Sequence, residues 1–267
     1  MSSNDATQKI LIVALGVCLV CSVLVATAAV SLRARQERNK ELDKVKNILQ
    51  AGDLPTRGVD VLEVFREQVR TVVVDLENGE SLTPEQYPKG FNPETFQIKE
   101  AADSRVWGRA IPAEKDIIHV QRMPRYMTVY EIIHDGRIVK LILPIYGKGL
   151  WSTLYGFIAL GENLSTVKGI TFYEHGETPG LGGEVDNPGW KASWKGKEAF
   201  AADGRLALEV IKGKVDTREP GAVHQIDGLS GSTLTTRGLD AIIKFWLSEA
   251  GYGRFLNSLK ERVPHEG

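Results

Sequence analysis

The run Val129-Tyr130-Glu131-Ile132-Ile133-His134-Asp135-Gly136-Arg137-Ile138-Val139-Lys140-Leu141-Ile142-Leu143 decides the fold of this chain. Its two arms are rich in β-branched and aromatic residues, and they flank Asp-Gly, which supplies two left-handed residues to a tight hairpin turn. Residues 129–134 and 137–143 are therefore read as an antiparallel pair, with the core starting at Met127. Residues 153–160 and 166–173 bracket Gly161-Glu162-Asn163 and make a second pair. At least four strands of a mostly antiparallel sheet follow, in an order left open. Residues 147–151 join the two pairs and the glycine-rich residues 176–183 leave the fourth strand. Both stretches thus sit at strand ends, where loops build sites on a rigid scaffold.

Beyond the sheet, Trp190 and Trp194 are read as core anchors, 197–202 as a short helix and 206–212 as a strand. Then comes Asp227-Gly228-Leu229-Ser230-Gly231-Ser232-Thr233-Leu234-Thr235-Thr236-Arg237-Gly238, three glycines and five hydroxyls in twelve residues. Leu239, Ile242, Ile243 and Trp246 give a helical stripe after it, ending near Gly251, and Phe255 and Leu259 continue in a last short helix. Glycine permits close backbone approach, and a hydroxyl-rich helix start exposes N–H groups suited to a phosphate. An ordinary turn with an N-cap fits the same spacing equally well.

Towards the N-terminus, residues 10–32 carry no charge and are long enough as a helix to span a bilayer. Lys9 and Ala26-Thr27-Ala28 also suit a cleaved signal peptide, but the apolar run continues past that site, so a retained anchor is preferred. Residues 33–50 read as an amphipathic stalk with Leu42, Val45, Ile48 and Leu49 on one face, ended by 51–55. Residues 59–76 have helical spacing, although 71–74 equally suit a strand. Residues 78–124 read as irregular structure without chemistry. The resulting division is 1–32 as tail and transmembrane helix, 33–55 as stalk, 56–126 as a segment packed on the main domain, and 127–267 as that domain.

The 267 residues are 42% hydrophobic, enough for a sizeable core, and carry 33 basic against 34 acidic side chains. No basic block is interleaved with aromatics, which argues against a nucleic acid partner. The two cysteines, Cys18 and Cys21, lie in the apolar run and are read as filling, so the rest of the chain has no disulfide or thiolate metal site. The five histidines have no metal or triad spacing; His175, beside the glycine loop, is the one with a chance of reaching a cofactor. Gly180-Leu181-Gly182-Gly183 lacks the strand-to-helix setting of a dinucleotide fingerprint, so NADH is not expected to bind this chain directly.

The order Asp227, two residues, Ser230-Gly231-Ser232-Thr233 resembles the attachment motif of the covalent FMN-binding family. Gly147-Lys148-Gly149-Leu150-Trp151 and Gly176-Glu177-Thr178-Pro179-Gly180-Leu181-Gly182-Gly183-Glu184 extend the resemblance over most of the chain. The family more often has alanine where this chain has Ser232. The resemblance implies an α+β protein: an N-terminal transmembrane helix, then one mostly antiparallel FMN-binding domain with flanking helices. It implies FMN joined by a phosphoester to Thr233, installed by a separate flavin transferase. Asp227, Ser230, Gly231, Ser232, Leu234, Thr235, Lys148, Gly149, Leu150, Trp151, Glu177, Thr178, Gly180, Leu181, Gly182 and Gly183 are the further cofactor-binding candidates; no catalytic or metal residue is assigned. Backbone N–H groups of 177–183 and Lys148 would bond the ring, while Leu181, Leu150 or Trp151 would stack on it. Without the family, Lys148, Glu177 and Glu184 read as solvated side chains.

The function implied is that of a flavoprotein relaying electrons in a membrane complex that oxidises NADH, reduces ubiquinone and pumps sodium, with the complex's other membrane subunits as partners. The flavoprotein component of the related ferredoxin:NAD oxidoreductase (Rnf) complex and an anchored assembly domain without cofactor are the alternatives. The resemblance also implies the bacterial inner membrane with a periplasmic FMN domain. Arg33, Arg35, Arg38 and Lys40, against Lys9 alone before the run, would by the positive-inside rule put that domain in the cytoplasm. Export is the preferred reading, because long C-terminal domains translocate regardless of flanking charge.

Overall fold

Asp135 and Gly136 both take positive φ, 50° and 78°, so the hairpin turns where its sequence demands. The computed structural model describes residues 3–262. Its elements are α1 (Ser3–Ala51), α2 (Val61–Gln68), β1 (Val69–Asp75), β2 (Glu80–Leu82), α3 (Ile98–Asp103), β3 (Gly108–Ala110), β4 (Arg122–Pro124), β5 (Tyr126–His134), β6 (Arg137–Lys148), β7 (Thr153–Gly161), β8 (Val167–Glu174), α4 (Pro188–Ala192), β9 (Glu209–Val210), β10 (Gln225–Ile226), α5 (Thr233–Leu247) and α6 (Gly253–Arg262). Among the described residues, six strands pair antiparallel in the order β2-β1-β5-β6-β7-β8. The α+β architecture expected from the sequence is the one found.

The chain divides into two compact units, one through Lys44 and one from Val45. In the first, the span Gln8–Arg33 contains an 18-residue window with a mean hydropathy of 2.9, and its side chains face outward. At 26 residues that stretch is about 39 Å long, enough to cross a hydrocarbon core of roughly 30 Å as a single-pass anchor. Cys18 and Cys21 lie on it, exposed.

In the second unit, strand alternation sends side chains to opposite faces of the sheet. Tyr130, Ile132, Ile142, Phe157 and Ala159 face Val45, Ile48 and Leu49 at the end of α1, with Phe65 of α2 beside them. Gly169 of β8 lets that end come close: an added Cβ would stand 2.5 Å from the Ala51 carbonyl. Asn47 accepts the Thr171 hydroxyl at 3.2 Å, and the Lys140 ammonium caps the helix at the Gly52 carbonyl, 2.6 Å away. On the opposite face, Met127, Val129, Leu141, Leu143, Ile145 and Ile158 pack under α5 and α6.

Helix α5 lies along β6 and carries the site. Trp246 Nε1 donates to the Tyr146 carbonyl at 2.7 Å, and a Cβ on Gly147 would strike Ile242 at 2.5 Å. At the other end a Cβ on Gly238 would meet the Lys148 carbonyl at 2.4 Å, so this helical glycine sets how closely the start of α5 approaches the β6–β7 loop.

Residues 59–76 divide between the two readings: α2 stops at Gln68, and the strand alternative for 71–74 is the one found, within Val69–Asp75, which pairs fully with β5 inside the sheet. Three local expectations are corrected. Residues 78–124 are not wholly irregular, since they hold β2, α3 and the antiparallel β3–β4 ribbon. Residues 197–202 are not a helix, because Thr166↔Glu198 and Phe200↔Leu206 bridges and the Ala199 N–H bond to the Ser165 carbonyl hold them extended. The strand at 206–212 shrinks to β9, which pairs parallel with β10.

Candidate functional site

The three glycine-bearing segments meet at one buried carboxylate. Glu177 Oε1 accepts the N–H groups of Trp151 at 3.0 Å and Ser152 at 3.1 Å, and the Ser152 hydroxyl at 3.2 Å. Its Oε2 accepts Leu150 N–H at 3.2 Å and the Thr235 hydroxyl at 2.7 Å. Burial pushes this carboxyl's pKa up, but the Thr235 hydroxyl and the three backbone donors outweigh that and hold it below the ordinary value. Glycines make room for the arrangement: a Cβ on Gly149 would stand 2.6 Å from Oε1, and one on Gly182 2.7 Å from both Oε2 and Thr235 Oγ1.

Gly180 has the positive φ, 76°, with open space around it; Gly182 is required by crowding.

The hydroxyls divide into committed and free. Ser232 Oγ donates to Thr235 Oγ1 at 2.9 Å, continuing the chain that ends on Glu177, and Thr236 Oγ1 donates to the Ser232 carbonyl while accepting Leu229 N–H. All three of those side chains are buried. Thr233, the first residue of α5, is exposed. Ser232 is the N-cap, but its side chain accepts no backbone N–H of the helix, so the first-turn N–H groups keep no side-chain acceptor from the cap.

Beside Thr233 lies a cleft of about 230 Å³, lined by Leu150, Trp151, Glu177, Thr178, Leu181, Gly182, Gly231, Ser232, Thr233 and Leu234. Its apolar rim stays open to solvent: Trp151 is 70% exposed and Leu234 54%. Lys148, Gly149, Gly180, Gly183, Asp227, Ser230 and Thr235 do not line it. Lys148, Glu177, Leu181 and Gly183 N–H groups, expected to bond a ring, instead bond Ile118 O, His175 Nδ1, Thr178 O and again Thr178 O.

Asp227 acts from outside. Its carboxylate takes Lys214 Nζ at 2.6 Å and Val215 N–H at 2.8 Å, while its carbonyl accepts Trp190 Nε1 at 2.8 Å. Burial raises its pKa, and Lys214 and Val215 more than reverse that. Trp194 is fully buried against Trp190, edge to face at 5.3 Å, so both tryptophans are the anchors expected. His175 does not line the cleft either; its Nε2 meets Asp186 Oδ2 at 2.9 Å. Two residues outside the candidate set matter. Ser152 bonds both Glu177 and Gly176 N–H, and Gly238 shows in the sequence only as a lone glycine inside a helical pattern.

The FMN-binding domain family matches residues 149–248, the span from this loop to the end of α5. NqrC of the Na(+)-translocating NADH-quinone reductase of Pseudomonas aeruginosa is 47% identical over 264 residues, covering 98% of this chain and 99% of that protein. The chain belongs to the NqrC family. The Yersinia pestis NqrC is 41% identical over 99% of this chain and 97% of its own length. The solved structure of Shewanella oneidensis NqrC superposes with a TM-score of 0.74 at 32% identity, covering 84% of this chain and 99% of that one. The chain is thus an FMN-domain flavoprotein of an oxidoreductase family, with one N-terminal apolar helix suited to anchoring it.

Proposed function

We propose that this chain carries FMN covalently, through a phosphoester to Thr233, and relays electrons within a sodium-pumping membrane complex that oxidises NADH and reduces ubiquinone. One observation carries the attachment: Thr233 is exposed at the cleft, whereas Ser232, Thr235 and Thr236 are buried with their hydroxyls in internal bonds. The residues fit the group. A cleft of about 230 Å³ is smaller than the roughly 300–1,000 Å³ of sites that hold a ligand by enclosure, so a bond to the chain supplies the retention. A phosphate on Thr233 lies at the first turn of a fifteen-residue helix, where N–H groups and the macrodipole favour negative charge. Leu150, Trp151, Leu181 and Leu234 offer apolar surface to the ring, and Glu177 holds the loop that carries two of them. FMN supplies one- and two-electron redox chemistry when bound; the protein orients it and leaves its rim accessible to a partner.

A threonine hydroxyl is a weak nucleophile, and Glu177 is spent on Thr235, so attachment is assigned to a separate flavin transferase acting on FAD. Peptide mass spectrometry should find one FMN-phosphoryl adduct, lost in Thr233→Val and kept in Thr235→Val. An adduct that survives Thr233→Val moves the site elsewhere.

The domain is assigned to the periplasm, anchored in the inner membrane. Protease added to intact spheroplasts should digest it; protection until lysis would restore the orientation suggested by Arg33, Arg35, Arg38 and Lys40.

A further inference from the structure

A second cavity, of about 490 Å³, is more than twice the size of the cleft beside Thr233. It opens where the turn after β1, the β3–β4 ribbon and the end of α5 come together. Phe245 on its wall is twelve residues along α5 from Thr233, about 18 Å by helical rise. The floor is apolar, with Leu76, Met123 and Phe245 all buried.

Three cations, Arg109, Lys115 and Arg254, share its lining with two carboxylates, Glu77 and Glu249. Both carboxylates have partners already. Glu249 takes Arg254 Nε at 3.3 Å, and Glu77 takes Arg125 Nη1 at 3.0 Å. Arg254 also donates to the Glu77 carbonyl. The last carbonyls of α5 are covered too, Phe245 by Ser248 and Trp246 by Tyr252.

Arg109 stands apart from these. Its Nε is buried and has no hydrogen-bond partner among the described residues. Burial pushes the guanidinium below the ordinary arginine value, against the pull of Glu77 and Asp75. Backbone pairing of Arg109 with Met123 fixes its position in the ribbon. The two Nη groups likewise have no hydrogen-bond partner among the described residues, and, unlike the enclosed Nε, they are the part of the guanidinium open to a ligand in the cavity, so an anion there meets donors that no protein acceptor has taken.

We propose that this cavity binds an organic carboxylate with an apolar body, the carboxylate meeting Arg109 and Lys115 and the body lying on Leu76, Met123 and Phe245. A planar guanidinium matches the two oxygens of a carboxylate. The volume falls in the range of small-molecule sites and exceeds what an inorganic anion fills.

Octanoate is the probe, titrated calorimetrically into the full-length chain in nanodiscs, with empty nanodiscs subtracting the lipid's share. It should saturate one site. Octanol, which lacks the charge, and acetate, which lacks the body, should bind at least about tenfold more weakly. Arg109→Met should weaken octanoate by about the same factor. Ala250→Leu, which narrows the cavity without touching a charge, should do likewise. An unchanged urea unfolding midpoint reports that the domain is intact in each variant, and the wild-type selectivity needs no variant. Octanol binding as tightly as octanoate, no saturation, or equal octanoate affinity in Arg109→Met would each overturn the site.

Discussion

Glu177 and Asp227 each tie a loop near the cleft, and they work in different surroundings. Glu177 is buried and faces five neutral donors from one loop and a helix, with no cation among them. Asp227 has one backbone donor and one ammonium, on a lysine side chain that is 84% exposed. A buried acceptor whose donors are fixed in the backbone cannot be replaced by water; a partner at the surface can. The difference teaches that the cleft's geometry hangs on Glu177, although Asp227 belongs to the motif proposed for attachment.

The largest break should come from Gly182→Val. Its Cβ would intrude on the Glu177–Thr235 bond itself, and a cost of about 4 kcal/mol is expected from overpacking plus a lost charge-assisted bond. Urea unfolding together with flavin content per chain measures it; an unchanged midpoint would reduce the loop to a surface turn.

Glu177→Gln comes next, at about 3 kcal/mol, because an amide NH2 must face donors on one side. Acid sharpens this test. A carboxylate whose folded pKa is depressed stabilises the fold above its unfolded value, and that contribution disappears as pH falls through the folded one. The gap in urea midpoint between wild type and Glu177→Gln should therefore be full at neutral pH and close in acid. A gap that stayed constant would mean that the charge is irrelevant.

Asp227→Asn should cost least, about 1 kcal/mol, since asparagine still accepts the Val215 N–H and the Lys214 pair is solvent-screened. Added salt should shrink the difference for Asp227→Asn and leave that for Glu177→Gln in place.

The hairpin was legible because Asp135-Gly136 and period-two alternation point to the same structure. The start of α5 was legible for a similar reason, hydroxyls followed by an apolar stripe. Thr71–Val74 was ambiguous because a continuous β-branched run satisfies helical and strand spacing together, and only pairing with β5 decides between them. Residues 197–202 misled because nothing local reveals that Thr166 and Leu206 flank them. Glu177 could be selected as a candidate, but its role could not be read. Its strongest partner, Thr235, is 58 residues away, and a surface acid carries the same letter as a buried one.

The closing of Gly169 over Ala51 also sets an order of events during synthesis. Thr171 is made 124 residues after Asn47, its hydrogen-bond partner. At about 5–20 residues per second, the apolar side of Val45, Ile48 and Leu49 waits roughly 6–25 s for the strand that completes its cover. Nothing made earlier replaces that strand's close backbone approach. Ribosome speed across β5 to β8 thus becomes a variable in how much of this chain escapes aggregation.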